Sequence, residues 1–190
     1  MSDSHDIQVL DRVLAGDTEA FAGIIEKYQS MVYRYAYSRV HNRDEASDIT
    51  QEIFMMVLES LSTFRRESKF STWFYSIMVN YCRNYRKKAV RYAALSLARG
   101  EGEDEFEIQI ADERQNPEAE VITNDSLRIV KEELYALPDD YREILILRDI
   151  EGMAYNEIEK VLGINLSNVK VRIHRGRELL KKRLGARGVL

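Results

Sequence analysis

Residues 155–177, YNEIEKVLGINLSNVKVRIHRGR, read as two short helices around a tight turn. Ile158, Val161 and Leu162 give the first helix one apolar face, and Gly163 stands where a helix ends on a left-handed residue. Asn165 then caps the second helix. In that helix Val169, Ile173 and Leu180 recur on one stripe, while Asn168, Arg172 and Arg175 lie off it, flanked by Lys170, His174 and Arg177. The stripe docks the helix, and the basic side is left to meet phosphates and base edges. Helix-turn-helix units also occur as plain helical cores, but four cations at 170, 172, 175 and 177 favour a DNA-reading element. No second ligand lies near His174 in sequence, so it suits a DNA-facing or stacking role better than a metal.

Outward from that element, charge is distributed unevenly. The net charge is −4 over 190 residues, which by itself argues against nucleic acid. Residues 1–92 carry 13 Lys/Arg against 12 Asp/Glu, residues 93–125 carry 2 against 10, and residues 126–190 carry 13 against 10. The acidity therefore belongs to the middle, and each flank ends in a basic cluster, RNYRKKAVR at 83–91 and KVRIHRGRELLKKR at 170–183. A hydrophobic content of 45% supports real cores, and Cys82, the single cysteine, excludes an internal disulfide framework. No apolar run reaches the length of a bilayer span, and the polar start MSDSHDIQVLDR is unlike a secretory signal, so no membrane insertion and a cytoplasmic location are expected.

The first block is helical by periodicity. An apolar-periodic segment over 7–14 stops at Gly16, and Asp17 caps a longer helix with Ala20, Phe21, Ile24, Ile25, Tyr28, Met31, Val32, Tyr35 and Ala36 inward. Asn42 with Glu45 resembles a capping box opening a third helix, whose inner stripe is Ile49, Ile53, Val57 and Leu61. Ser71 caps a fourth helix to about Lys88, with Phe74, Ile77, Met78, Tyr81 and Tyr85 inward. Periodicity then disappears over 93–116, where GEGEDEFEIQIADERQN reads as a flexible acidic linker. Asn116-Pro117-Glu118 opens a fifth helix to about Leu137, and Pro138 breaks it. Asp139 and Asp140 open the next, with Tyr141, Ile144, Leu145 and Ile150 inward and Gly152 at its end. The expected fold is all-α, with two small helical domains, residues 1–92 and 117–190, joined by the linker 93–116.

Two further constellations stand out. On the fourth helix Trp73, Asn80, Asn84 and Lys87 recur on one face, flanked by Arg83 and Arg86, and span about 21 Å at 1.5 Å per residue. Aromatics beside amides and cations suit unpaired bases, which need a stacking surface, edge partners and backbone neutralisation together. Phe64, Arg65, Arg66 and Lys69 in the preceding loop extend that face. The alternative is that Trp73 and Phe64 are core residues and the cations an ordinary solvated face. On the third helix Asp44, Asp48, Gln51, Glu52 and Glu59 form an acidic face, which alone indicates solvation as readily as binding. The chain has no phosphate-binding glycine loop with lysine, no zinc-protease helix and no nucleophile elbow, so neither an enzyme nor a cofactor is expected.

Taken together, DEASDITQEIF at 44–54, FRRESKFSTWFYSIMVNYCRNYRKK at 64–88, LPDDYREILILRDIEGMAYNEIEKVLGI at 137–164 and SNVKVRIHRGRELL at 167–180 resemble the extracytoplasmic-function (ECF) group of bacterial sigma factors. The resemblance implies a subunit that binds core RNA polymerase, opens the minus-ten promoter element with its N-terminal domain and reads the minus-thirty-five element with its C-terminal one. By position it implies polymerase binding for Asp48, Gln51 and Glu52, and capture of a flipped minus-ten base by Phe64 and the loop through Lys69, with Trp73 and Asn80 beside them. It assigns Lys170, Val171, His174 and Arg175 to the minus-thirty-five major groove, next to Asn168 and Arg172. It also implies an anti-sigma factor as inhibitory partner. The chain departs from the family pattern at Val171, where a small hydroxyl residue is usual and a thymine methyl would be the partner. It departs again at Glu159, where a small residue is usual, so that either the glutamate reaches outward or the helices cross differently. At Gly176 a glycine replaces alanine at a cost of about 1 kcal/mol to the helix. The rivals are a stand-alone helix-turn-helix regulator acting without polymerase and a protein-binding adaptor. The third-helix acids and the Trp73 to Lys87 stripe speak against the regulator.

Overall fold

The computed structural model describes residues 3–99 and 125–189. Its packing divides the chain into two units, Met1–Ala111 and Asp112–Leu190. Among the described residues there is no strand, in agreement with the all-α expectation.

In the first unit α1 spans Asp3–Leu14 and starts earlier than the apolar period indicated. The reason is Asp6, a buried carboxylate that receives hydrogen bonds from Lys27 Nζ at 2.5 Å and Tyr28 Oη at 2.7 Å, so a polar residue anchors the first turn. Asp17 caps the next helical segment, accepting from the Ala20 N–H. A hydrogen bond from Arg12 holds its carboxyl below the ordinary range, with burial opposing. It opens a 3₁₀ turn, Thr18–Phe21, from which α2 continues over Ala22–Val40. Phe21, Ile24, Tyr28, Met31, Val32, Tyr35 and Ala36 are buried as expected, whereas Ala20 is half-buried and Ile25 is 37% exposed. Ile25 follows Ile24 by one position, a rotation of about 100° that carries it off the stripe. Helix α3, Arg43–Ser60, begins at Asn42, whose Oδ1 accepts from the Glu45 N–H, and its stripe of Ile49, Ile53, Val57 and Leu61 is buried throughout.

Helix α4 spans Phe70–Arg99, beyond the expected end near Lys88. Residues 89–99, AVRYAALSLAR, contain neither glycine nor proline and are rich in strong helix formers. The segment expected as linker from Ala93 therefore begins as helix, and residues 100–116 lie outside the described residues. The buried side of α4 is also rotated from expectation. Phe74 and Met78 are buried, but Tyr75, Val79 and Cys82 join them while Ile77, Tyr81 and Tyr85 are only half-buried. Apolar residues occupy most of this helix's circumference, so packing selected the side. Phe74 stacks on Tyr28 of α2 at 4.8 Å between ring centres and tilts against Phe54 of α3 at 5.7 Å.

In the second unit α5 is Asp125–Tyr135, and the expected start at 116–118 lies outside the described residues. After Pro138, α6 runs over Asp139–Leu145 and widens into a π-helical turn, Ile146–Ile150. That extra residue per turn buries Ile146 and Leu147 and swings Ile150, expected inward, out to 50% exposure. Helix α7, Tyr155–Leu162, ends at Gly163 with φ +64°, and α8 is Leu166–Ala186. Buried Glu133 of α5 clamps the far end of α8, accepting from Arg183 Nε at 2.6 Å and Arg187 Nε at 2.8 Å. Those two hydrogen bonds hold its carboxyl below the ordinary range against the opposing effect of burial.

Candidate nucleic-acid interface

The geometry of α8 is set by the residues packed against its back. Val169, Ile173 and Gly176 are buried, with Leu184 further along and Leu180 half-buried. A Cβ at Gly176 would meet Leu145 Cγ and Cδ1 at 3.3 Å and Tyr141 Cβ at 3.4 Å. The glycine that costs helix propensity thus stands at a tight approach of α8 to α6. On the other side Asn168, Lys170, Val171, His174 and Arg175 are exposed, Val171 to 43%. Arg172 is the exception in this set. It is half-buried and pairs with Asp140 at 3.2 Å, in an open groove of about 460 Å³ where Asn168, Val171 and Arg175 face Pro138 and Tyr141. Asp140, read from sequence only as a helix opener, carried no signal for that role.

Two cations at the margin of this face are spoken for within the unit. Arg177 pairs with Asp149 through Nε at 3.1 Å, and that hydrogen bond raises its already high pKa. Arg148 donates to the Met153 carbonyl at 2.7 Å and lies 4.8 Å from the Tyr155 ring centre, bracing the loop into α7. The start of each of the two helices is capped. Asn165 Oδ1 accepts from the Asn168 N–H at 2.8 Å, as its position indicated, and Glu157 accepts from the Ala154 N–H at 2.8 Å. Glu159 is half-buried and turns across to α8, where its Oε1 accepts from the Leu166 N–H at 2.9 Å.

The second face is built from α4 and the loop before it. Phe64 and Trp73 are half-buried, with ring centres 5.2 Å apart, and both lie against buried Phe70 at 5.7 Å. Phe70 in turn meets Tyr28 and Phe74 of the core. Phe64 and Trp73 therefore pack on the core while each keeps part of its surface exposed. Arg65, Arg66 and Lys69, in the same loop as Phe64, are exposed. Arg66 has φ +58°, an uncommon backbone for a residue with a side chain, and pairs with Asp11 of α1.

Further along α4, Asn80, Asn84 and Lys87 are exposed and line a groove of about 670 Å³ with Met56, Ile77 and Tyr81; Arg83 beside them is half-buried. The groove's tyrosines adjoin the acidic face of α3. Burial, a hydrogen bond to Glu45 and the charge of Asp48 push Tyr85 up to about 12, and burial with the Glu52 charge raises Tyr81. Asp48, Gln51 and Glu52 are exposed, next to Met55 at 57% and Met56 at 40%. In sequence these methionines belong to neither the acidic face nor the apolar stripe, so no local pattern marks them. Among the described residues no group of three or more His, Cys, Asp or Glu side chains is arranged to hold a metal, and no helix is long and apolar enough to cross a membrane.

Comparison with known proteins matches residues 24–92 to Sigma-70 region 2 and residues 127–180 to Sigma-70, region 4. The chain is similar to the ECF RNA polymerase sigma factor SigW of Bacillus subtilis, with 35% identity covering 92% of this chain and 94% of that one. It is likewise similar to the ECF RNA polymerase sigma-E factor of Escherichia coli K12, at 33% identity over 97% of each. In fold it resembles the sigma factor RpoE of Bartonella quintana, solved in complex with the anti-sigma factor NepR, with a TM-score of 0.66 and 21% identity over 87% of this chain and 96% of that one.

Proposed function

The chain belongs to the extracytoplasmic-function group of sigma factors, which direct RNA polymerase to promoters, and from that premise we propose how its residues divide the work. Residues 1–92 bind core polymerase and open the minus-ten element, residues 117–190 read the minus-thirty-five element, and residues 93–116 join them. Asp48, Gln51 and Glu52 present carboxylates and an amide to a basic surface of core polymerase. Phe64 and Trp73 supply the open side of a stack on which an unpaired base rests, with Arg65, Arg66 and Lys69 near its phosphate. Asn80 and Asn84 offer amide donors and acceptors to further bases, and Arg83 and Lys87 neutralise the strand.

On α8, Lys170, His174 and Arg175 address base edges and phosphates of the major groove, Asn168 and Arg172 flank them, and Val171 meets a thymine methyl. The observation that carries this reading is the two-sidedness of α8: Val169, Ile173 and Gly176 are buried while Lys170, Val171, His174 and Arg175 stand exposed. Family membership leaves the stand-alone regulator without support. The protein acts in the cytoplasm and adds no catalytic step of its own, the polymerase supplying the chemistry. An anti-sigma factor is its inhibitory partner, a reading supported by the complex in which the RpoE neighbour was solved.

The test is transcription by core polymerase from a library of randomised promoters, with and without this protein. Protein-dependent transcripts sharing two motifs at fixed spacing are the expected result. No stimulation, together with tight duplex binding by the protein alone, would refute it.

A further inference from the structure

We propose that Glu159 is a positioning residue that locks the recognition helix in place before DNA arrives and withholds the first N–H of that helix from the DNA backbone. Glu159 bonds both sides of the turn. Its main-chain carbonyl accepts from the Gly163 N–H at 2.9 Å, closing α7, and its side-chain Oε1 accepts from the N–H of Leu166, the first residue of α8, at 2.9 Å. The two bonded N–H groups stand on either side of the turn, so one residue ties the end of one helix to the start of the next.

The electrostatics point the same way. The first four N–H groups of a helix lack intrahelical partners, and they draw phosphate in many nucleic-acid complexes. In α8 the Leu166 N–H is taken by the Glu159 carboxylate and the Asn168 N–H by the Asn165 amide. A carboxylate there also interacts favourably with the helix dipole, as a phosphate would. The chain thereby exchanges one sequence-independent backbone contact for a recognition helix held in advance, which favours discrimination over raw affinity. The small residue usual at this position in the resembled family can do neither.

This inference rests on the reading that α8 recognises the minus-thirty-five duplex. The test uses holoenzyme assembled with wild-type protein, Glu159→Ala or Glu159→Gln, titrated with duplex carrying a matched or a scrambled minus-thirty-five element over a series of salt concentrations. Alanine is a strong helix former and removes the acceptor, whereas glutamine keeps an oxygen in reach of Leu166 and loses only the charge. For Glu159→Ala the matched-to-scrambled ratio should fall about threefold to tenfold, the scale of one hydrogen bond. Its salt dependence should steepen by about 0.9, the increment for one added phosphate. Glu159→Gln should keep the wild-type ratio. In the free full-length protein, amide exchange at Leu166 should be slow in wild type and Glu159→Gln and fast in Glu159→Ala.

The inference is overturned if Glu159→Ala leaves ratio, slope and Leu166 exchange unchanged, or if Glu159→Gln is as defective in ratio as alanine. A wild-type holoenzyme that does not distinguish the two duplexes would instead overturn the assignment of α8, and this inference with it.

Discussion

Helix α8 and helix α4 carry the two faces proposed to meet nucleic acid, and they are built on opposite plans. The recognition helix α8 separates its sides cleanly, with Val169, Ile173 and Gly176 buried and Lys170, Val171, His174 and Arg175 exposed. Helix α4 has no such division, because Phe64 and Trp73 join the core on one side and open outward on the other, and Tyr81 and Tyr85 are shared with the acidic face of α3. A duplex offers edges in a groove to a rod with one chemical side. An unpaired strand needs flat apolar surface, and such surface stays folded only where neighbouring rings brace it.

The largest expected effect breaks the support of α4 alone. Phe74→Ala removes the ring that joins α2, α3 and α4 and should cost about 3–5 kcal/mol in the first unit. Amide exchange in α8 should be unchanged, and parallel loss of protection in both units would contradict two separately stabilised faces. Next, Trp73→Ala should weaken binding of melted minus-ten strand by about 1–3 kcal/mol. Arg175→Ala should weaken matched duplex by about 1–3 kcal/mol. Fluorescence titrations with each DNA would show whether either substitution crosses over to the other ligand, which the comparison forbids.

A smaller change sharpens the picture of α8. Asp140→Asn releases Arg172 from its 3.2 Å partner, and because exposed pairs contribute only about 0–1 kcal/mol the fold should be intact. Duplex affinity should rise modestly with a steeper salt dependence, measured by titration at several ionic strengths. The smallest effect is in pH. Glu133 is held low in the folded protein by Arg187 and Arg183, so its contribution is complete above the ordinary glutamate value of about 4.3 and is lost as pH falls through the depressed one. Melting of the second unit should decline on acidification below about pH 5, and Glu133→Gln should flatten that decline.

Much of this was legible along the chain wherever a local rule operates. Asn42, Asn165 and Gly163 cap or terminate helices through bonds within a few residues, and the α3 stripe keeps a strict helical period. Ile150 escaped because a π-helical turn shifts the period by one residue, and nothing in ILRDI marks that turn. The end of α4 is not marked by periodicity, because AVRYAALSLAR has helix propensity without an amphipathic pattern.

The sequence by itself determined the helical fold class, the helix-turn-helix, the order of the blocks and the two sides of α8, because periodicity and capping act over one or two turns. Only the tertiary structure decided which side of α4 turns inward, that Arg172 and Arg66 are held by Asp140 and Asp11, that Gly176 makes room for Leu145, and that Glu159 bolts the turn. Each of these depends on the distance between groups that local pattern does not relate. A hydrogen bond, an ion pair or a missing methyl has its effect only at van der Waals range, and folding sets that range.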